Sequence, residues 1–410
     1  MSGGDPAFFI QKIHKDWYNR GVELFLRKGF AMKKFVSLVL AALLLLSGCV
    51  AEQKTEAAKK AEPAKVVNLI AFGDYMVHRP QINGAKTADG FDFTGDFQYL
   101  KPFIDEADVA MINLETTLTD GSKGYTTFPM FASPIEIARD LKAVGFDVIS
   151  TANNHAYDTF GPGVETTYRA LTDAGMDVVG TGENKADPLI KTVNGMKIGF
   201  LAYTYGLNGN DGVLKNSEKP DAVAVYSEEK ADEDIKALKA AGVDAIVCYM
   251  HWGVEYVKEP TAEQKKQAAY LAKKGVDIIF GSHPHVPLSI DNIVSGDKRT
   301  FVAYSMGNFV SNQRREYMNR SRVETGQMVR AQLTKDEKGT RVTAFQPDAL
   351  YVDKYWGDRL LFDVLPAEAV LSGEIPCPRL EQVKGRLEET LSAHRERMNP
   401  NLILSFKEEK

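Results

Sequence analysis

The sequence predicts an α/β fold with mixed sheets: either one mixed sheet, or two packed sheets with helices outside. Three patterns predict it. Short apolar runs alternate with amphipathic helical stretches, as in βαβ units whose sheets are covered on both faces. Several of those runs stop abruptly in dense polar clusters. Two further stretches read as antiparallel pairs, which a simple doubly wound parallel sheet would not contain.

The elements follow in order. "VVNLIAF" (66–72) is an apolar run ending in Gly73 and Asp74, and "ADVAMIN" (107–113) is a second, ending in Leu114 and Glu115. "SPIEIARDLKAVG" (133–145) has helical spacing, with Ser133 as its capping residue and Gly145 as its stop. The strand "FDVIST" follows. "GVETTYRALTDAG" and "MDVVGTG" repeat the helix-then-strand order over 163–182. "LIKTVNGMKIGFLAY" (189–203) places Asn194–Gly195 between two strand-like runs, a strong hairpin signal. "DEDIKALKAAG" then leads into "VDAIVCYM" (243–250), and "TAEQKKQAAYLAKKG" into "VDIIFGS" (276–282). "YSMGNF" (304–309) ends another strand, and 327–352 reads as a second antiparallel pair around a polar turn. No internal repeat and no linker appear after residue 66, so 66–410 is expected to be one domain. Its motifs occupy 73–312, and 353–410, with a helix near 379–395, is expected to be peripheral.

The N-terminal region has a different character. From Met32, "MKKFVSLVLAALLLLSGC" carries Lys33 and Lys34, an apolar run from Phe35 to Leu46, and small residues at its end. That is the pattern of a secretory signal, and the run is short for a spanning helix. "LSGC" resembles a bacterial lipobox, which makes Cys49 the expected site of lipid attachment. A plain membrane anchor is the alternative. Residues 32–49 are thus expected to be a lipoprotein signal peptide and 50–65, rich in Ala, Lys and Glu, a solvated tether. Residues 1–31 sit awkwardly ahead of such a signal, so translation is expected to start at Met32. The protein is accordingly expected on the extracytoplasmic face of a bacterial membrane.

Composition narrows the function classes. The 410 residues are 44% hydrophobic and 26% charged, an ordinary globular balance. A formal charge of −5 gives no reason to expect nucleic acid or an anionic membrane surface as partner. Beyond Cys49 only Cys248 and Cys377 remain, so no disulfide framework is indicated.

The polar clusters carry the chemistry. Of seven histidines, five (His78, His155, His251, His283 and His285) fall just after apolar strands, in "FGDYMVH", "TANNH", "YMHWGVEY" and "GSHPH"; "MINLE" places a carboxylate in the same kind of position. In open α/β sheets the carboxyl ends of parallel strands converge on one crevice. One such histidine is usually a satisfied structural residue, but five beside Asp74 and Glu115 form a pattern. Imidazoles with a few carboxylates and no cysteine suit zinc, manganese or iron. Asp74, His78, Glu115, Asn154, His251, His283 and His285 exceed what one ion takes, which points to two ions sharing a bridging carboxylate. Phosphate-ester cleavage is the leading use of such a pair.

In order along the chain, Asp…His, an acidic residue, Asn–His, a lone His and His-x-His resemble the calcineurin-like metallophosphoesterases. "NNHAYD", "HWGVEY", "GSHPH" and "YSMGNF" are similar to the CapA family, associated with bacterial poly-γ-glutamate capsule synthesis. The resemblance covers roughly residues 66–312. It implies a four-layer α/β/β/α sandwich with a metal site at one end of the two sheets. It also implies that Asp74, His78 and His285 hold one metal, that Asn154, His251 and His283 hold the other, and that Glu115 bridges. His155 would then protonate the leaving oxygen or stabilise its charge, with Asp158 orienting it. Two departures bear on this. Three residues separate Asp74 from His78 where the family has one, and Glu115 stands where an aspartate is usual, with Asn113 as an alternative ligand.

Around these, Trp252 and Glu255 are read either as a substrate wall and a polar contact or as packing and loop-holding residues. Asn308 either touches the substrate or forms a turn. The basic run "NQRREYMNRSR" (312–322) is read as a solvated loop before an anion guide. Three functions compete: a metallohydrolase acting on a phosphate ester or an anionic envelope or capsule polymer; a non-catalytic polyanion-binding or export factor working with membrane capsule-synthesis proteins; and a metal-dependent γ-glutamyl amide hydrolase or transferase.

Overall fold

A computed structural model describes residues 63–405. The proposed signal, Cys49 and most of the tether lie outside the described residues. The strands of the two large sheets are, in chain order, β1 (Lys65–Tyr75), β2 (Val109–Leu114), β3 (Val148–Ser150), β4 (Asp177–Val179), β5 (Leu189–Val193), β6 (Met196–Thr204), β7 (Ala245–His251), β8 (Ile278–Ser282), β9 (Ile290–Ser295), β10 (Lys298–Ala303), β11 (Asn308–Val310), β12 (Thr325–Asp336), β13 (Gly339–Trp356) and β14 (Leu360–Pro366). The longer helices are α1 (Glu136–Val144), α2 (Phe160–Asp173), α3 (Glu228–Ala240), α4 (Ala262–Lys274) and α5 (Leu380–Arg397).

The first sheet runs β14-β13-β12-β1-β2-β3-β4, with β11 also paired to β1. The second runs β9-β10-β8-β7-β6-β5. Both are mixed: β1, β2, β3 and β4 are parallel, as are β6, β7, β8 and β10, while β12 to β14, β5 and β9 run antiparallel to their neighbours.

Side-chain alternation shows how the sheets stack. Val67, Leu69 and Ala71 of β1 share one apolar cluster with Phe200 and Ala202 of β6, Val247 and Tyr249 of β7, and Phe280 of β8. Ile70 and Phe72, on the other face of β1, pack with Ile137, Leu141 and Val144 of α1. Leu201, Ile246, Cys248 and Ile279, on the other face of the second sheet, pack with Ile235 and Leu238 of α3 and Leu271 of α4. The layers are therefore helix, sheet, sheet, helix. Tyr249 ties the two sheets together, its hydroxyl donating to the Phe72 carbonyl.

Local chemistry sets the ends of several elements. The Asn194–Gly195 turn, with φ of 50° and 72°, joins β5 to β6 as a hairpin. The Thr261 side chain caps α4 by accepting from Gln264 N at 3.2 Å, while Gln264 Oε1 accepts from Thr261 N at 2.9 Å. Gly275 closes that helix at φ 93°. Ser133 does not cap α1. It lies in a short strand, buried, with its hydroxyl 2.7 Å from Thr116 Oγ1, and the helix begins at Glu136. The expected peripheral region also needs dividing. β13 continues to Trp356 and β14 forms the edge of the first sheet, so only the helical part beyond Pro366 lies outside the sheets.

Candidate metal centre

The parallel strands β1, β2, β3, β7 and β8 deliver the candidate residues as the sequence predicts, from their carboxyl ends. β1 does so through a bulge. Its register shifts between Phe72 and Asp74, and a Cβ on Gly73 would lie 2.0 Å from the Gly307 carbonyl oxygen. Only glycine allows the 306–308 segment to come so close, and Asp74 then pairs with Asn308. Beyond β8, His283 and His285 have φ of 94° and 56°, left-handed conformations that cost a non-glycine residue roughly 1–3 kcal/mol each.

Glu115 occupies the centre. It is fully buried, and neither carboxylate oxygen has a hydrogen-bond partner. Its Oε1 lies 3.5 Å from His251 Nε2 and 3.8 Å from His285 Nε2. Burial, and then the charges of Asp74 and Glu255, push its carboxyl well above the usual range. The imidazoles shift the other way. Burial, followed by neighbouring imidazoles, holds His251 well below its ordinary value and His283 at about 3, so both are neutral.

Two donor groups emerge, Glu115–His283–His285 and Asp74–Glu115–His251, the atoms of each within 4.8 Å of one another. Neutral imidazoles, unpartnered carboxylate oxygens and the free His283 Nδ1 are the donors a divalent cation requires, so the residues fit one. Glu115 belongs to both groups, the place the resemblance gives a bridging carboxylate. The carried-over pairs also lie together: Asp74 Oδ2 is 3.2 Å from His285 Nδ1, and the His251 and His283 ring centroids are 4.9 Å apart.

Supporting contacts orient these donors. Asp74 Oδ1 accepts from Asn113 Nδ2 at 2.8 Å, and its Oδ2 accepts from the His283 backbone N–H at 3.2 Å. Asn113 thus supports Asp74 through its amide nitrogen. His251 Nδ1 lies 2.9 Å from Ser282 Oγ, which leaves Nε2 facing Glu115 and, at 2.8 Å, Asn154 Oδ1. His78 lies in neither donor group. It is half-buried, and its Nδ1 faces the Asn312 backbone N–H at 3.3 Å, which favours a protonated Nε2 rather than a ligating one. Burial holds this ring at about 4.

His155 follows β3 in a tight turn. Its Nδ1 lies 2.7 Å from Asp158 Oδ2, which also accepts from the Phe131 backbone N–H at 2.6 Å. The Phe131 ring packs against both His155 and His78, with centroids 4.7 and 5.3 Å away. Asn153 does more than make a turn. Its Oδ1 accepts the His155 backbone N–H, and its Nδ2 donates to the Leu114 carbonyl at 2.8 Å, joining the ends of β2 and β3.

The outer candidates divide. Glu255 is exposed at the mouth, near enough for its charge to bear on Glu115, Tyr205 and Tyr256. Trp252 is a packing residue, not a substrate wall: its ring is buried against Tyr304 and its N–H donates to the Tyr304 carbonyl at 2.9 Å. Asn308 is fully buried and its amide donates to Gln313 and to the Val323 carbonyl, which latches the 308–323 segment instead of offering a donor to substrate. In the basic run, Arg314 and Arg315 pair with Glu324 at 3.1 and 3.0 Å. Arg320 remains exposed over the Tyr256 ring.

Tyr205 and Asn208, just beyond β6, were not among the sequence candidates. The Tyr205 ring, half exposed, lies 4.7 Å from that of His283 and stacks near His251. Asn208 Oδ1 accepts from Asn154 Nδ2 at 3.1 Å. Their one signal was position, since β6 is another parallel strand ending at the same rim.

Two facing sheets between helices, with histidines and carboxylates gathered at the strand ends, are the arrangement that the resemblance to metallophosphoesterases implies. Residues 68–313 match the family described as bacterial capsule synthesis protein PGA_cap. That is more than half the chain, and the protein belongs to this family. It is 28% identical to the capsule biosynthesis protein CapA of Bacillus anthracis over 292 residues, 68% of this chain and 69% of that protein. To the PGA biosynthesis protein CapA of Bacillus subtilis (strain 168) it is 30% identical over 259 residues, 60% and 64% of the two chains. The similarity therefore spans about two thirds of the length of these relatives. Among solved structures, the Haemophilus influenzae NAD nucleotidase NadN is similar with a TM-score of 0.44 at 13% identity, covering 82% of this chain and 61% of that one. The calcineurin-like phosphoesterase YfkN of Bacillus subtilis gives 0.38 at 17% identity, covering 81% and 100%.

Proposed function

We propose that the protein is a lipid-anchored, extracytoplasmic hydrolase of the phosphoesterase type that works with two divalent ions (manganese, zinc or iron) in the synthesis of a capsule or envelope polymer such as poly-γ-glutamate. The observation that carries this reading is Glu115, a buried carboxylate with two unpartnered oxygens between His251 and His285. A structural residue would not be left so, because an uncompensated buried carboxylate is among the most destabilising groups a core can hold. When bound, such ions supply Lewis acidity and a nucleophile near neutral pH.

The chain's own residues do the rest. Asp74, Glu115, Asn154, His251, His283 and His285 hold the centre. His155, oriented by Asp158 through Nδ1, gives its Nε2 proton to the leaving oxygen. His78 offers an Nε2–H donor to an anionic substrate group. Positive charge at the rim comes from Arg320 and from Lys354, which donates to Asn312 Oδ1 at 2.7 Å, near enough for its charge to bear on His78. A groove of about 670 Å³, lined by Tyr157, Phe160, Glu165, Arg169 and Lys219 among others, opens beside the His155 turn and has room for more of a polymer. These features favour a catalytic site over a purely binding one, because a scaffold has no use for a buried His155–Asp158 pair.

The test uses the full chain purified without chelators, with bound metal measured by elemental analysis. Hydrolysis of a phosphomonoester, a phosphodiester and poly-γ-glutamate is then assayed with manganese or zinc. Turnover of an ester that His155→Ala abolishes while retaining metal supports the reading. Turnover of poly-γ-glutamate alone moves it to amide chemistry. Metal without any turnover leaves the non-catalytic role, and a chain that takes up no metal removes the centre itself.

A further inference from the structure

We infer that Asn208 is a positioning residue, the partner that turns the Asn154 amide oxygen toward the metal centre; this rests on the metal-centre reading above. Asn154 comes from the first sheet, beyond β3, and Asn208 from the second, beyond β6, so the contact spans the ends of both sheets. Asn154 is buried. Its Oδ1 lies 2.8 Å from His251 Nε2, close to the roughly 3 Å between neighbouring donors on one cation with bonds of about 2.1 Å. An amide whose oxygen faces a cation must direct its NH₂ elsewhere, and a buried NH₂ needs an acceptor.

Asn208 Oδ1 is that acceptor, 3.1 Å from Asn154 Nδ2. A reversed Asn154 amide would place two carbonyl oxygens against each other here and direct an NH₂ at the cation. The backbone fixes Asn208 in place. Its φ of 50° lies in the left-handed region, which asparagine tolerates better than most residues, and Gly209 follows at 87°. Asn208 Nδ2 lies 3.4 Å from His155 Nδ1, so the same side chain borders the proposed proton donor. It has no reason to touch substrate itself. Its role runs through Asn154.

The experiment measures Mn²⁺ affinity by calorimetry on the chelator-stripped full chain, for wild type, Asn208→Ala, Asn208→Asp and the same changes in an Asn154→Ala background. Metal-free thermal melting reports on folding in each case. Asn208→Ala should weaken one of the two Mn²⁺ sites by roughly 10- to 100-fold, as loss of a supporting partner of a ligand does. Asn208→Asp keeps the acceptor oxygen and should restore the affinity. With Asn154 already removed, Asn208→Ala should change nothing further.

Wild-type affinity in Asn208→Ala overturns the inference and leaves the metal centre standing. So does equal loss in the alanine and aspartate variants, or an undiminished effect without Asn154, since either would mark a merely structural residue. A wild-type chain that binds no Mn²⁺ overturns the centre, and the inference with it.

Discussion

Replacing Glu115 with glutamine should stabilise the metal-free protein and destabilise the loaded one. The side chain is fully buried, beside Asp74, with both oxygens unpartnered. Without a cation the folded state retains the carboxyl proton to a pH well above the ordinary value of 4.5, whereas the unfolded chain releases it near there. A folded-state value raised in this way gives stability that is present at low pH and lost as pH rises toward the folded value. While the folded form holds the proton and the unfolded form does not, the loss is about 1.4 kcal/mol per pH unit. Between pH 5.5 and 7.5 the stability of wild type relative to Glu115→Gln should therefore fall, by at most about 3 kcal/mol. Urea unfolding of both chains in chelator, at the two pH values, measures that difference, and groups common to both chains cancel. Adding Mn²⁺ should reverse the order, because an amide is a poor bridge between cations. A gap that does not change with pH, or a variant that gains as much from Mn²⁺ as wild type, would refute the placement of Glu115 at the heart of a cation site.

Other consequences are testable alongside it. His155→Ala should lower turnover of an alkyl phosphate by about 10²–10⁴-fold, and of a nitrophenyl ester by much less, since a good leaving group needs no acid; equal losses would argue against a proton donor. Asp158→Asn keeps an oxygen for the Phe131 N–H but loses the charge facing His155. It should cost roughly tenfold on the alkyl ester, with metal content unchanged. In a metal-free Glu115→Gln background, acidification acts through His78, His251, His283 and His394, which stay neutral in the fold while the unfolded chain protonates near 6.5. Their lowered values give stability that is present above 6.5 and lost as pH falls, roughly 1 kcal/mol for each between pH 7.5 and 5.5 in urea unfolding. Gly73→Ala drives a Cβ into the Gly307 carbonyl and should destabilise by about 3 kcal/mol and reduce bound metal; a variant as stable as wild type would mean that the segment yields easily.

Much of this arrangement was legible in the sequence, for identifiable reasons. The strand ends were readable because buried runs such as "VDIIFGS" stop sharply where the polar residues begin. Asn194–Gly195 was readable because it has one dominant local use. Ser133 misled because a serine before a helix is a cap only if its backbone is free to turn, and here a short strand holds it. Donor grouping depends on side-chain directions across two sheets, which no spacing encodes. That is why His78 fell outside both groups. Tyr205 and Asn208 were passed over because a tyrosine and an asparagine after a strand are common anywhere. Trp252 and Asn308 sit in motif-like stretches, yet the Trp252 N–H and the Asn308 NH₂ are committed to backbone carbonyls and a neighbouring side chain.

Strand β1 has one more practical meaning. It runs from Lys65 at one rim of the first sheet to Asp74 at the other, nine residue steps or about 30 Å at the rise of a β-strand. The chain thus enters the first sheet at Lys65, at the far end of that rod from the metal donors. Immobilising the protein by its N-terminal side should leave the mouth open to large soluble polymers. Coupling through the loop around Tyr205 or Glu255 should shut them out.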